Sequence, residues 1–177
     1  MTKWVIPFNY PYSVMPVSNT LRKVKIFKCV PNATTLAAAL SSWVNLEEAE
    51  LADTLTALPS SCFSGCYKLK FLALPSLITA IPASAFSGCV SMTNLEINSD
   101  ITSIAASAFA DCCSLNRLEF LYNTAVPTLS NTNAFSGMLS VTAQNTRPSI
   151  VVPKNLYNTW QNSTNWTTYK RYICWKD

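Results

Sequence analysis

The chain has 177 residues, of which 49% are hydrophobic and only 12% are charged, and these proportions are typical of a folded domain with a core. It contains no histidine, which excludes histidine-based nucleophile sites and histidine-ligated metal sites. The bases lie mainly in 1–28 and 147–177 and the acids in 29–146, so no continuous basic stripe for nucleic acid is present. No apolar run is long enough to predict a membrane-spanning helix.

The N-terminal segment, residues 1–20, is rich in aromatic residues and proline and matches no recognised motif. It lacks the apolar core and the small-residue cleavage site of a secretory signal. We therefore expect either that the protein is not exported by that route or that an export signal has been removed. Two interpretations of the segment stay open: an extended N-terminal cap, or an arm that docks on another subunit or a larger assembly.

A repeat of 23 residues dominates the middle of the chain. Apolar positions recur at that spacing in three consecutive units: Phe63, Phe86 and Phe109; Cys66, Cys89 and Cys112; Leu69, Met92 and Leu115; Leu72, Leu95 and Leu118; Leu74, Ile97 and Phe120. Weaker copies begin near Leu21 and Leu40 upstream and near Val126 downstream. A fixed period of this length is typical of stacked repeat proteins, in which the end units are atypical.

Each unit combines three kinds of segment. The pattern L-x-x-L-x-L ends in alternation and predicts short strands with cores at 49–51, 72–74, 95–97 and 118–120. The pattern I-T-x-I-P predicts a second extended stretch on the opposite wall. The pattern A-F-x-G-C predicts a tight turn that places its phenylalanine inside, with positive φ at Gly65, Gly88, Gly137 and Asp111. Stacked units should then pile Phe63, Phe86 and Phe109 into one column.

The phrase I-T-x-I-x-x-x-A-F-x-x-C-x-x-L-x-x-L-x-I, found at 78–97 and 101–120, resembles the BspA-type leucine-rich repeat. The resemblance covers roughly residues 36–153, and the tail from Ile150 to Ile173 resembles the segment that often closes such repeats. The asparagine ladder of other leucine-rich repeats is missing, because the corresponding positions are Leu77, Asp100 and Asn123.

The resemblance implies a leucine-rich-repeat solenoid, mainly β with short turns and helical plugs, right-handed and made of about five to seven coils. We expect the solenoid at 21–149 and a C-terminal cap with a short helix at 150–177. The family implies surface-exposed bacterial, protozoan or phage proteins that adhere to other proteins or to cells, and it implies no catalytic residues.

The best candidates for contact with a partner are the outward positions of the strands, expected on the concave face: Glu48, Glu50, Phe71, Asn94, Glu96, Arg117 and Glu119. Glu96 and Glu119 should lie side by side, and a cation or a basic partner would favour such a pair. The alternative is an ordinary solvated charged face. Phe71 is either an exposed contact anchor or packs on Lys70 or a terminal segment.

The cysteines invite a disulfide or metal interpretation, but their spacing favours a structural one. Cys66, Cys89 and Cys112 should stack with parallel side chains, a poor geometry for disulfides, and should act as small apolar fillers. Cys62 with Cys66, and Cys112 with Cys113, lack the partner pair of a zinc site. We therefore predict no metal site and no cofactor.

The C-terminal segment carries an aromatic series: Leu156, Tyr157, Trp160, Trp166, Tyr169, Tyr172 and Trp175. Pro153 precedes a short helical pattern in which Leu156, Tyr157 and Trp160 share one face. The segment is either a cap that seals the last coil or an aromatic shelf that binds a sugar or a partner.

These observations favour a non-enzymatic binding or adhesion module whose partner is a protein or a cell-surface macromolecule, with no nucleic acid and no membrane span. The alternative is a structural component of a phage virion, a head decoration or tail-fibre element, with residues 1–20 as its anchor. The expected location is the cell surface if an export signal was removed, and otherwise the virion surface. An enzyme is the least favoured class, since no catalytic motif is present.

Overall fold

The computed structural model describes residues 3–6, 22–26, 41, 43–138 and 149–176. Within this part of the chain the strands are β1 (Lys3–Ile6), β2 (Lys23–Ile26), β3 (Glu48–Glu50), β4 (Phe71–Ala73), β5 (Ala80–Ile81), β6 (Asn94–Ile97), β7 (Ser103–Ile104), β8 (Arg117–Phe120), β9 (Thr128–Leu129), β10 (Ser149–Val152) and β11 (Ile173–Trp175). The helix α1 (Tyr157–Asn162) lies between two 3₁₀ helices, Lys154–Leu156 and Trp166–Tyr172.

All strand pairs are parallel, and the repeat period sets their register. Glu48 lies opposite Phe71 and Asn94 opposite Arg117, each pair 23 residues apart. The strands form one sheet in the order β1-β2-β3-β4 and another in the order β11-β10-β8-β6. The strand cores predicted from the leucine pattern are confirmed, each beginning one residue earlier than expected. No ladder pair joins β4 to β6 in the described residues, so the expected single row of strands is divided there.

The pattern I-T-x-I-P also forms strands, as predicted, and these build a third sheet in the order β5-β7-β9. Ile81 pairs with Ile104, and Ile104 pairs with Leu129, with all three side chains buried. Residues 55–58, the corresponding stretch of the first clear unit, form no strand. The third sheet therefore includes three units, and the first clear unit does not join it although it carries the same pattern.

The phenylalanines form a column, and this confirms the central expectation from the sequence. Ring centroids are 5.8 Å apart for Phe63 and Phe86, 5.3 Å for Phe86 and Phe109, and 5.4 Å for Phe109 and Phe135. The rings are nearly parallel, and each is at most 1% exposed. Each unit thus buries its ring against the rings of its neighbours, which a single unit cannot do alone.

Each turn around these rings contains left-handed backbone. Gly65, Gly88 and Gly137 have φ of 74°, 77° and 78°, and Asp111 has φ of 58°. The predicted role of this position is confirmed. Asp111 replaces glycine at some conformational cost, because a Cβ makes this region less favourable.

A second left-handed position in the same turns was not predicted. Ser61, Ser84 and Ser107, each two residues before the phenylalanine, have φ of 58°, 53° and 55°. Serine does not usually mark such a conformation, so its recurrence at the repeat spacing was the only signal in the sequence.

The C-terminal segment closes the stack. The short helix predicted after Pro153 is present as α1, and Trp160 on it is completely buried. The chain then returns to the sheet, where β11 pairs in parallel with β10, Ile173 lying opposite Ile150. This strand at 173–175 was not predicted from the sequence, because it lies outside the repeat pattern.

Candidate functional site

The seven candidate contact residues all lie on β3, β4, β6 and β8, and the parallel register brings them into rows. We call the outward side of these strands the strand face; it comprises Glu48, Glu50, Phe71, Asn94, Glu96, Arg117 and Glu119. In the first sheet Glu48 lies beside Phe71 and Glu50 beside Ala73. In the second sheet Asn94 lies beside Arg117 and Glu96 beside Glu119. The residues between them, Ala49, Leu95 and Leu118, point inward and are buried.

The N-terminal edge of the strand face is formed by paired charges. The Lys23 ammonium lies 2.5 Å from the Glu48 carboxylate, and the Arg22 guanidinium lies 3.4 Å from that of Glu47. The basic N-terminal end and the acidic middle predicted from the charge distribution meet at these pairs. Exposed pairs of this kind contribute little to stability, but they compensate the charges on both sides.

Phe71 stands at the middle of the strand face and is 65% exposed. The part of the chain that the structure describes offers its ring no aromatic or cationic partner. Its neighbours on the same side are small or polar: Ala73, Asn94 and Glu96 are all exposed. This exposure is compatible with the exposed-anchor alternative, and the role of Phe71 as a contact residue stays a prediction.

Glu119 differs from its predicted role as an exposed neighbour of Glu96. Its side chain is only 5% exposed, and one of its carboxylate oxygens accepts a hydrogen bond from Nε of Arg117 at 2.9 Å and lies 2.8 Å from Nη2 of the same guanidinium. The Lys176 ammonium lies 3.9 Å from its other oxygen. Glu96 and Glu119 lie side by side, as expected. Glu119 is not part of an exposed acidic pair, however, because Arg117 and Lys176 neutralise it. Glu96 alone keeps an exposed carboxylate there.

The cysteine column is structural, as the spacing predicted. The Cys89 thiol donates to the carbonyl of Phe63 at 3.3 Å, and the Cys112 thiol donates to that of Phe86 at 3.1 Å. Burial raises the pKa of Cys62, Cys66 and Cys112 to about 12. These thiols thus stay protonated at neutral pH, in a form that is neither a nucleophile nor a good metal ligand.

No disulfide joins the cysteines in the described ranges. The same ranges contain no cluster of three acidic or cysteine side chains suited to a metal ion. Cys29 and residues 1–20, apart from the backbone of β1, lie outside the description. In the described segments, no helix combines the length and apolar character needed to cross a membrane.

The C-terminal aromatic residues divide into a buried and a more exposed set. Trp160 and Trp166 are completely buried, with ring centroids 5.1 Å from Phe120 and 5.7 Å from Phe135 respectively. The Trp166 indole N–H donates to the carbonyl of Pro127 at 2.8 Å. These rings fit the predicted cap, and burial prevents them from forming a binding shelf. Tyr172 and Trp175 stay partly exposed.

Comparison with known proteins agrees with this geometry. A family model described as a BspA type leucine rich repeat region matches residues 35–164 in six copies. The sequence matches none of the curated proteins. One similar solved structure is a leucine-rich-repeat protein from Bacteroides ovatus, with a TM-score of 0.67 and 17% identity over 99% of this chain and 42% of that one.

A second similar structure is a leucine rich cell surface protein from Faecalibacterium prausnitzii, with a TM-score of 0.59 and 23% identity over 88% of this chain and 34% of that one. At these identities the two structures support the fold alone. The chain spans about a third to two fifths of the length of these structures. The family model matches most of the sequence, and the parallel strands in repeat register and the C-terminal helix are consistent with that match. The chain therefore belongs to the BspA-type leucine-rich repeat family.

Proposed function

We propose that this chain is a non-enzymatic binding module that presents its strand face to a protein at a cell surface. The family consists generally of binding modules, and one structural relative is a cell surface protein. The observation that carries the proposal is the 65% exposure of Phe71 on a strand whose inward side faces a packed core. Aromatic residues of this kind contribute a large part of the binding energy in protein interfaces.

The distribution of paired charges supports the same surface. Ion pairs occupy both edges of the strand face, Lys23 with Glu48 at one and Arg117 with Glu119 at the other. Between them, Phe71, Asn94 and Glu96 are exposed. Within the described residues, their side chains take part in no ion pair, side-chain hydrogen bond or ring contact. A partner that offers an apolar pocket to Phe71 and a base to Glu96 would satisfy both groups.

Rigidity also favours this face over the surrounding loops. The strands bearing Phe71 and Glu96 each pair with a neighbouring repeat strand. Side chains fixed on strands lose less conformational freedom on binding than side chains on loops do. We also propose that the strand face is concave.

The test is a binding screen of the purified chain against host matrix proteins and bacterial surface extracts, followed by titration of any captured protein. Phe71→Ala should weaken binding by about 2 kcal/mol or more, which is about thirtyfold. Tyr122→Ala is the matched control, because Tyr122 is 66% exposed but lies off the strands. Capture of no partner, or equal weakening by both substitutions, would refute the proposal.

We further propose that residues 21–149 form a right-handed solenoid of about five to seven coils. Residues 150–177 would close it and residues 1–20 would precede it. The parallel register, the phenylalanine column and the six matched copies support this organisation. The pairing of β1 with β2 extends the strand row into residues 1–20.

The alternative role as a virion component, with residues 1–20 as an anchor, stays a prediction. Most of that segment lies outside the described residues. Mass spectrometry of purified particles tests it, since a virion protein must be found in them.

A further inference from the structure

A cleft of about 350 Å³ lies between the turn at 131–136 and the 3₁₀ helix Trp166–Tyr172. It contains none of the strand-face residues. Its volume lies near the low end of the about 300–1,000 Å³ typical of small-molecule sites. The two walls are fastened together, because the Tyr169 hydroxyl donates to the carbonyl of Thr132. The cleft is an open feature of the surface at the junction between the last repeat and the cap.

The lining of the cleft combines aromatic and neutral polar groups. Phe135 and Tyr169 are almost completely buried and lie beneath its surface, so their ring faces are not open to a ligand. Around them lie four exposed residues with hydroxyl or amide groups: Thr132, Asn133, Ser136 and Thr168. A group of exposed neutral donors and acceptors suits a ligand that carries several hydroxyls, as a sugar ring does.

Arg171 adds a positive charge at the same place. Its guanidinium carbon lies 4.7 Å from the centroid of the Tyr172 ring, and its Nη2 donates to the Tyr172 hydroxyl. No carboxylate pairs with Arg171 in the described chain, and no acidic residue lines the cleft. A guanidinium held on an aromatic ring is well placed to bind a carboxylate with two parallel hydrogen bonds.

The C-terminal segment, which forms one wall of the cleft, is basic. Residues 149–176 contain four bases, Lys154, Lys170, Arg171 and Lys176, and no acid. Such a local excess attracts an anionic ligand and raises its concentration near the cleft.

We propose that this cleft binds an acidic sugar residue of a glycan, with its carboxylate on Arg171 and its hydroxyls on the neutral polar residues of the lining. The site is separate from the strand face and does not depend on the function proposed for it. A peptide with a free carboxyl terminus offers the same charge but not the ring of hydroxyls, so the lining favours the sugar.

The test uses the full chain with methyl β-D-glucuronide as the probe and methyl β-D-glucoside as its uncharged counterpart, each titrated by NMR. The glucuronide should bind and the glucoside should bind at least about tenfold more weakly, since it lacks the charge-assisted hydrogen bonds. Arg171→Gln should reduce glucuronide affinity by about tenfold or more on the same grounds. Lys170→Gln removes an equal charge outside the lining and should change affinity less than about twofold.

Thermal unfolding checks that each variant folds. If Arg171→Gln does not fold, Thr168→Val, which removes one hydroxyl, provides a second probe of the lining. Reduced glucuronide affinity in Thr168→Val supports the site. Equal losses in the Arg171 and Lys170 variants would show diffuse attraction to a basic segment and overturn the proposal. Equal binding of both sugars, or no binding at millimolar concentrations, does the same. Tighter binding of N-acetyl-alanyl-alanine than of the glucuronide overturns the sugar assignment.

Discussion

Replacement of Phe86 by alanine tests the phenylalanine column directly. Phe86 is completely buried, and its ring lies between those of Phe63 and Phe109, at 5.8 and 5.3 Å between centroids. Truncating a buried aromatic side chain removes its transfer free energy and leaves a cavity, which together cost about 3–5 kcal/mol. This includes two ring–ring contacts of about 0.5–1.5 kcal/mol each. Because folded domains are stable by about 5–15 kcal/mol, the loss is a large fraction of the total.

The assay is unfolding in urea, followed by tryptophan fluorescence. Trp43 lies near the start of the described repeats and Trp160 in the C-terminal segment, and both are buried. Phe86→Ala should lower the midpoint with little change in the dependence on denaturant, since the surface exposed on unfolding is nearly unchanged. Glu96→Ala, an outward change on the next strand, should stay within about 0.5 kcal/mol of the natural chain. If Phe86→Ala costs less than about 1 kcal/mol, the column is not the spine of the core.

Three further predictions concern the turns, the thiols and the period. A Cβ at Gly137 would lie 2.4 Å from Asp111 Oδ1, whereas the nearest atom to a Cβ at Gly88 is 3.6 Å away. Gly88→Ala should cost about 1–2 kcal/mol because of its left-handed backbone, and Gly137→Ala should cost more. Equal unfolding midpoints for the two variants would contradict this. The raised pKa values of Cys62, Cys66 and Cys112, about 12 against an ordinary 9.0, favour the protonated folded state, so this stabilisation is complete below pH 9 and is lost as pH rises from 9 toward 12. Chemical unfolding at pH 8 and 10 measures the loss. The control is the triple variant Cys62→Ala, Cys66→Ala, Cys112→Ala. If it loses as much stability between these pH values as the natural chain does, the loss does not come from these thiols. Deleting residues 78–100, one whole period, should leave a cooperatively folded chain because Ile101 takes the place of Ile78. Deleting residues 78–97, which is not a whole period, should abolish cooperative folding. The same melting behaviour for both deletions would argue against interchangeable units.

The sequence predicted the repeat units well because each unit makes the same contacts as the next. The spacing of Phe63, Phe86 and Phe109 was enough to place them in one column, and the glycine positions were enough to predict left-handed turns. In a stack of equivalent units, an inward position in one unit is an inward position in all.

The candidate site was predicted less completely. The register of the strand face followed from the period, and the exposure of Phe71 and Glu96 agrees with their outward positions. Glu119 has the same place in its unit as Glu96, yet it is buried. Its surroundings include Lys176, which is 57 residues further along the chain and belongs to no repeat. No pattern within the repeat carries information about such a contact.

By itself, the sequence determined the period, the inward side chains, the turn residues and hence the family. Tertiary structure alone decided which outward residues stay exposed, where the row of strands divides, and that β11 returns to the sheet. It also created the cleft between the last turn and the 3₁₀ helix. The physical reason is that repeat contacts join equivalent residues at a constant spacing, whereas contacts with the C-terminal segment join residues that have no counterpart elsewhere in the chain.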